Sequence, residues 1–147
     1  SCNWLKWEAS PTTASTPAWS SNTAYPEPVW DGTKYLRTRT TISASWYLTW
    51  TTILTGHTDY PAFALCVSKW AWWRLPTKRE LFSIMTVSKP IWMTYYTALP
   101  SITGNDYWSA TMSRSSSKFA WYGTFSNAST NGNTKTNTTF RSICIHD

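Results

Sequence analysis

A proline, a threonine and a glutamate at 76, 77 and 80 constrain this chain more than any other feature. Thr77 and Glu80 stand three apart, the spacing of a capping box. In that motif the threonine hydroxyl accepts from the glutamate amide, and the glutamate carboxylate accepts from the threonine amide. Pro76 keeps Leu75 out of the α region, so no helix runs back through it. The pattern predicts a helix from Lys78. Leu81, Ile84 and Met85 then share one face, and Phe82 widens that stripe. Ser88-Lys89-Pro90 ends it. Upstream, Trp72-Trp73-Arg74-Leu75 reads as an extended aromatic strand that delivers the chain into the cap.

The segments on either side are read from periodicity. Gly56 to Asp59 is a turn, and Tyr60-Pro61 opens a second helix, since proline suits a first helical turn. Phe63, Cys66, Val67 and Trp70 follow the i, i+3, i+4, i+7 rule and share a buried face. Three strands are expected at 107–112, 119–126 and 138–145. Trp108, Ala110 and Met112 alternate in the first. Phe119, Trp121, Gly123 and Phe125 alternate in the second, and Phe140, Ser142 and Cys144 in the third. This is the pattern of a sheet with one wet side. Residues 113–117 read as a polar turn and 127–137 as a longer one, with Gly132 available for positive φ. The stretch 91–96 is strand or aromatic loop, and 99–106 is a long loop. Residues 1–55 read as an irregular arm rich in Trp, Pro and Thr. Four prolines between 11 and 28 exclude a long helix there, and Asp31-Gly32 marks a turn. A β-branched, aromatic run at 38–52 is expected to be strand, with part of 46–54 helical as the alternative.

Composition narrows the function. The chain has 147 residues, enough for one domain with a real core. Thirteen Lys and Arg against seven Asp and Glu give a net charge of +6, which favours anionic partners. The basic residues are scattered and no nucleic-acid motif is present. The seven acids are Glu8, Glu27, Asp31, Asp59, Glu80, Asp106 and Asp147, and no two lie within three residues of each other. There is no Gly-x-Ser-x-Gly elbow and no Gly-rich phosphate loop. Cys2, Cys66 and Cys144 form no zinc-like spacing, and His57 and His146 are isolated surface residues. The reading is therefore of a non-enzymatic protein without cofactor or metal. The start at Ser1 and the lack of a signal or apolar span read as a processed chain or the ordered part of a longer one, and the Ser/Thr/Asn/Trp-rich surface reads as extracellular. The three cysteines leave one over if a bridge forms. Asn127-Ala128-Ser129 and Asn137-Thr138-Thr139 fit the N-glycosylation pattern.

Four stretches carry a resemblance. Trp73-Arg74-Leu75-Pro76-Thr77 with Glu80-Leu81 is followed by Tyr107-Trp108-Ser109-Ala110-Thr111. Phe119-Ala120-Trp121-Tyr122-Gly123-Thr124-Phe125-Ser126 and Phe140-Arg141-Ser142-Ile143-Cys144 come next. Together, over 56–147, they resemble the Lcl C-terminal domain family of bacterial collagen-like adhesins. That family and the formylglycine-generating-type domains are similar in fold to C-type lectins. The resemblance implies an α+β, C-type-lectin-like domain at 56–147, with two helices packed on a small antiparallel sheet and the N-terminal arm beside it in one compact unit. It implies a Cys66–Cys144 disulfide from the first helix to the last strand; Cys2 paired with either, or bonded between chains, is the alternative. The family's closing Arg-Cys reads Arg141-Ser142 here, with the cysteine two residues on. The cysteine pair of the formylglycine-generating enzymes is absent, so that activity does not carry over. The lectin calcium triads are absent too; Glu27-Pro28-Val29 and Asn105-Asp106-Tyr107 are partial echoes.

The resemblance also implies adhesion to glycosaminoglycan-like ligands. If the lectin-like topology holds, loop 99–106 and the turns 113–118 and 127–137 bring Arg114, Lys118 and Lys135 together with Asn105, Trp108, Tyr122 and Asn133. Cations beside rings and amides suit sulfated or acidic glycans. The expected partners are such glycans or a cell-surface receptor, together with further copies of the chain; no nucleic acid and no membrane span are expected. The alternative is a structural subunit of a surface filament, in which the N-terminal arm docks on a neighbour.

Overall fold

The computed structural model describes residues 8–9, 15–38, 50–55, 57–69, 72–88 and 106–146. The fold is α+β. One three-stranded antiparallel sheet joins β2 (Val29–Trp30), β3 (Tyr35–Thr38) and β4 (Trp50–Ile53). A second joins β5 (Asp106–Met112), β6 (Phe119–Thr124) and β7 (Ser129–Thr134). A short ribbon pairs β1 (Glu8–Ala9) with β8 (Ile145–His146), and the helices are α1 (Pro61–Val67) and α2 (Lys78–Ser88). No helix among the described residues is long and apolar enough to cross a membrane.

The capping box forms as its spacing requires. The Thr77 amide donates to Glu80 Oε1 at 2.9 Å, and the Glu80 amide donates to Thr77 Oγ1 at 3.2 Å. Leu81 and Met85 are buried with Tyr107, Phe125 and Ile143 in a small core beneath α2. Phe82 does not widen the stripe: it is 47% exposed, because it turns away from the sheet that Leu81 and Met85 meet. In α1, Phe63 and Cys66 are buried and Val67 half-buried, while Trp70 lies outside the described residues. Cys66 and Cys144 form a disulfide with Cα atoms 5.3 Å apart. Cys2 is outside the described residues.

The described part of 1–55 is irregular over 15–28, where no helix or strand forms, but its later residues add the β2–β3–β4 sheet, and its aromatic side chains enter the core. Trp19, Tyr35 and Ile53 share one core with Tyr60, Phe63, Trp108 and Phe140. Trp19 meets Phe63 edge-on at 5.1 Å and Tyr60 at 5.9 Å. The Asp31-Gly32 turn closes the β2–β3 hairpin: Gly32 has φ 104°, and Asp31 Oδ1 accepts from the amides of Thr33 and Lys34. Within the expected strand 38–52, Thr38 and Trp50 to Thr52 are strand and 39–49 lie outside the described residues. The helical alternative fails at 50–53, which pairs with β3.

Two further expectations are corrected near the C-terminus. The supposed long turn 127–137 contains β7, which pairs with β6 from Phe119↔Thr134 to Thr124↔Ser129. The hairpin turn is shorter, and Ala128, with φ 54°, takes the left-handed position assigned to Gly132. Gly132 lies within the strand instead. The expected strand 138–145 is mostly extended coil, held by a parallel bridge between Arg141 and Tyr107 and antiparallel pairing of Ile145 with Arg74 and β1. The stretch 91–96 and loop residues 99–105 lie outside the described residues.

Helix α2 crosses β6 at Gly123. A Cβ there would stand 2.7 Å from Met85 Sδ and 3.0 Å from Leu81 Cδ2. Glycine is what allows the helix this close to the strand. Gly123→Val should destabilise the protein by about 1–3 kcal/mol through overpacking. Gly123→Ala should cost less, because the flexible Met85 thioether can swing aside. Urea unfolding of the three proteins measures the order.

Candidate functional site

The expected ligand set does not assemble as one surface. Its cations separate into two environments. Lys135 is fully buried. Its ammonium donates to the Tyr25 carbonyl at 2.7 Å and the Thr23 carbonyl at 3.4 Å, and lies 5.0 Å from the Trp19 ring centroid. Met112 Sδ stands 3.1 Å away. Burial pushes the Lys135 pKa below the ordinary lysine range, and the charge of Glu27 offsets part of that. Lys135 therefore fastens the 17–28 segment to the second sheet and is removed from the ligand set. Trp108 is removed for the same reason: it is fully buried, its indole N–H donates to the Pro17 carbonyl, and Phe140 meets it edge-on at 4.8 Å.

Tyr122 is half-buried and stacked on Phe140 at 4.1 Å, so one of its faces is taken. The Asn133 carboxamide oxygen accepts from the Thr134 amide and from Asn137 Nδ2. Asn105 lies outside the described residues. Arg114 and Lys118 are exposed. They project from the 113–118 turn between β5 and β6, and that turn is held by its own backbone. The Ser113 amide donates to the Phe119 carbonyl at 2.9 Å, and the Phe119 amide to the Ser116 carbonyl at 3.2 Å. The Lys135 amide donates to the Lys118 carbonyl at 3.0 Å. The buried lysine and the exposed one are thus neighbours across a single backbone bond.

Two contributions beside this turn are not among the expected ligands. Phe119 is 39% exposed, and its ring lies over Gly132. Lys78 Nζ sits 3.5 Å from the centroid of the Trp121 ring. Strand alternation places Phe119 and Trp121 on the α2 side of the sheet, so ring, glycine, ring and ammonium follow one another. Alternation along 119–125 carried that signal, but which end of the row α2 leaves open is a tertiary fact.

Four of the described carboxylates have structural partners. Glu80 caps α2 and forms two bonds with the Arg74 guanidinium, the second at 2.6 Å. Asp59 pairs with Arg37 at 2.6 Å, whose guanidinium lies over the Tyr25 and Tyr60 rings. Asp31 pairs with Lys34, and Glu27 Oε2 accepts from the Met112 amide at 2.9 Å. Among the described residues no group of three or more His, Cys, Asp or Glu side chains could hold a metal ion. No family model matches the chain, and no curated protein matches it.

Burial alone would raise the Glu80 pKa. The Arg74 guanidinium and the Thr77 amide outweigh it and hold the carboxyl below its ordinary 4.5. A carboxyl depressed on folding adds stability above its unfolded pKa, and that stability is lost as pH falls through the folded value. Glu80→Gln should therefore flatten the acid limb of the stability profile below pH 4.5. It should also cost about 3 kcal/mol at neutral pH, by removing the charge that faces a buried guanidinium. Urea midpoints from pH 7 down to the acid limb, for both proteins, measure the two effects.

Proposed function

We propose that the chain is an extracellular, non-enzymatic recognition domain that binds glycans or other acidic surface ligands through the 113–119 turn. The observation that carries this reading is the exposure of Arg114, Lys118 and Phe119 on one backbone-braced turn. Two cations supply charge-assisted bonds to sulfate or carboxylate, and a ring face supplies apolar contact with a sugar. The turn is held before any ligand arrives, which lowers the entropy cost of binding. The net charge of +6 favours encounter with polyanions. The commitment of Glu80, Asp59 and Asp31 to structural partners supports the non-enzymatic part of the reading.

The lectin-like comparison belongs to the same proposal. A box-capped helix after Arg74-Leu75-Pro76, a disulfide from α1 to the C-terminal segment, and a β5–β6–β7 sheet under α2 all suit it. Membership of the Lcl C-terminal family and assembly into homo-oligomers are proposed on that resemblance. For the filament alternative, the pairing of Glu8 and Ala9 with β8 is adverse, since it turns this part of the arm back onto its own domain.

The test is heparin affinity as a function of salt. Replacing Arg114, Lys118 and Phe119 together with alanine should weaken binding about tenfold or more at low salt, each cation adding on the order of 1 kcal/mol. It should also reduce the salt dependence. Arg79→Ala, on exposed α2 surface, is the control for diffuse charge. If both proteins lose affinity equally, binding is a property of net charge and the turn has no special role.

A further inference from the structure

A second opening lies on the other side of Arg74. It is a cleft of about 420 Å³ between the β2–β3 hairpin and the start of α2, within the ~300–1,000 Å³ typical of small-molecule sites. Pro28, Val29, Trp30, Leu75 and Ala110 give it a mostly apolar lining. Val29 is 48% exposed although its neighbours are packed. Trp30 is braced edge-on by Tyr35 at 4.9 Å, so this wall is rigid.

The polar atoms in the cleft are few, and most are spent. The Tyr35 hydroxyl donates to the Leu75 carbonyl and accepts from the Leu75 amide. Both Glu80 oxygens bond Arg74. Glu27 uses Oε2 for the Met112 amide, and among the described residues nothing bonds its Oε1. The Thr77 hydroxyl accepts from the Glu80 amide and keeps its own proton to donate. The lining carries two carboxylates, Glu27 and Glu80, against the single guanidinium of Arg74. Lys135, behind Met112, is held by the Tyr25 and Thr23 carbonyls and does not line the cleft.

These features select a ligand class. A sugar would bring several hydroxyls into a cleft with about two unspent polar groups, and leaving hydroxyls unpaired costs affinity. An anion would face the carboxylate excess. A short alkyl chain ending in an ammonium needs apolar walls, one carboxylate and a nearby ring face. We propose that this cleft binds a small alkylammonium ligand, with the Glu27 carboxylate as counter-ion and Pro28, Val29, Trp30 and Ala110 around the alkyl chain. The site is separate from the 113–119 turn and has the opposite charge preference.

The experiment titrates the full ¹⁵N-labelled chain with n-pentylammonium chloride, with n-pentanol and sodium pentanoate as neutral and anionic controls. Saturable shifts at the Glu27, Trp30 and Thr77 amides are expected, with both controls at least about tenfold weaker. Glu27→Gln keeps an acceptor for the Met112 amide but loses the charge, and should weaken the ammonium about tenfold. Val29→Lys, at an exposed position, should abolish binding by placing a tethered ammonium in the cleft. Arg114→Ala with Lys118→Ala should leave amine binding unchanged, so failure of either site is seen separately. Absence of saturation, equal binding of pentanol, or wild-type affinity in Glu27→Gln or Val29→Lys would overturn the proposal.

Discussion

Five consecutive residues, Arg74 to Lys78, hold the elements of this protein together through their backbone groups. The Arg74 amide and carbonyl pair with Ile145, both at 2.8 Å, and tie the segment to the C-terminal strand. Leu75 exchanges two bonds with the Tyr35 hydroxyl and so reaches the first sheet. The Pro76 carbonyl accepts from the Ala110 amide at 2.7 Å, and the Lys78 amide donates to Thr111 Oγ1 at 2.9 Å, which reaches the second sheet. The Thr77 amide goes to Glu80 and starts α2. A buried backbone group without a partner costs as much as a lost hydrogen bond, so each of these pairs constrains the docking of a different element.

That stitching requires β5 to deviate from a regular ladder. Its pairing with β6 shifts between Trp108 and Met112. The irregularity frees main-chain groups at Ser109 and Ala110, as a bulge does. The Ser109 carbonyl accepts from the Trp19 indole N–H at 2.8 Å, and the Ala110 amide turns to Pro76. The Ser109 hydroxyl spans the gap to the Trp121 carbonyl. One local irregularity thus anchors both the N-terminal segment and the entry to α2. Burying Ser109 and half-burying Thr111 in mid-strand makes sense only in this setting.

The capped helix was legible in the sequence because its cause is local: Pro76, Thr77 and Glu80 act within one turn. The burial of Cys66 was legible for the same reason, through helical period. β7 was not, because Ser129-Thr130-Asn131-Gly132-Asn133-Thr134 has the composition of a turn and becomes strand only by pairing with β6. The place of Lys135 was hidden for a different reason. A buried lysine needs carbonyls from Thr23 and Tyr25, more than a hundred residues away, and no window of sequence contains them. The candidate site suffered most, since a cation in a polar turn and a cation under a tryptophan read alike. Arg114 and Lys118 kept their expected exposure, while Trp108 and Lys135 moved inside.

Two of the tryptophans answer the irregular backbone directly. Among the described residues the two fully buried tryptophans, Trp19 and Trp108, each send the indole N–H to a carbonyl outside the regular ladders, those of Ser109 and Pro17. A large ring with one donor fills volume and satisfies an orphan acceptor at once, which no aliphatic side chain does. The two bonds run in opposite directions, from the N-terminal segment to β5 and from β5 back, so they lock the same pair of segments twice. Lys135 adds a third tie to that segment through Tyr25 and Thr23. The 17–28 segment is thus fastened at three places, and Glu27 at its far end meets the same sheet by accepting from the Met112 amide.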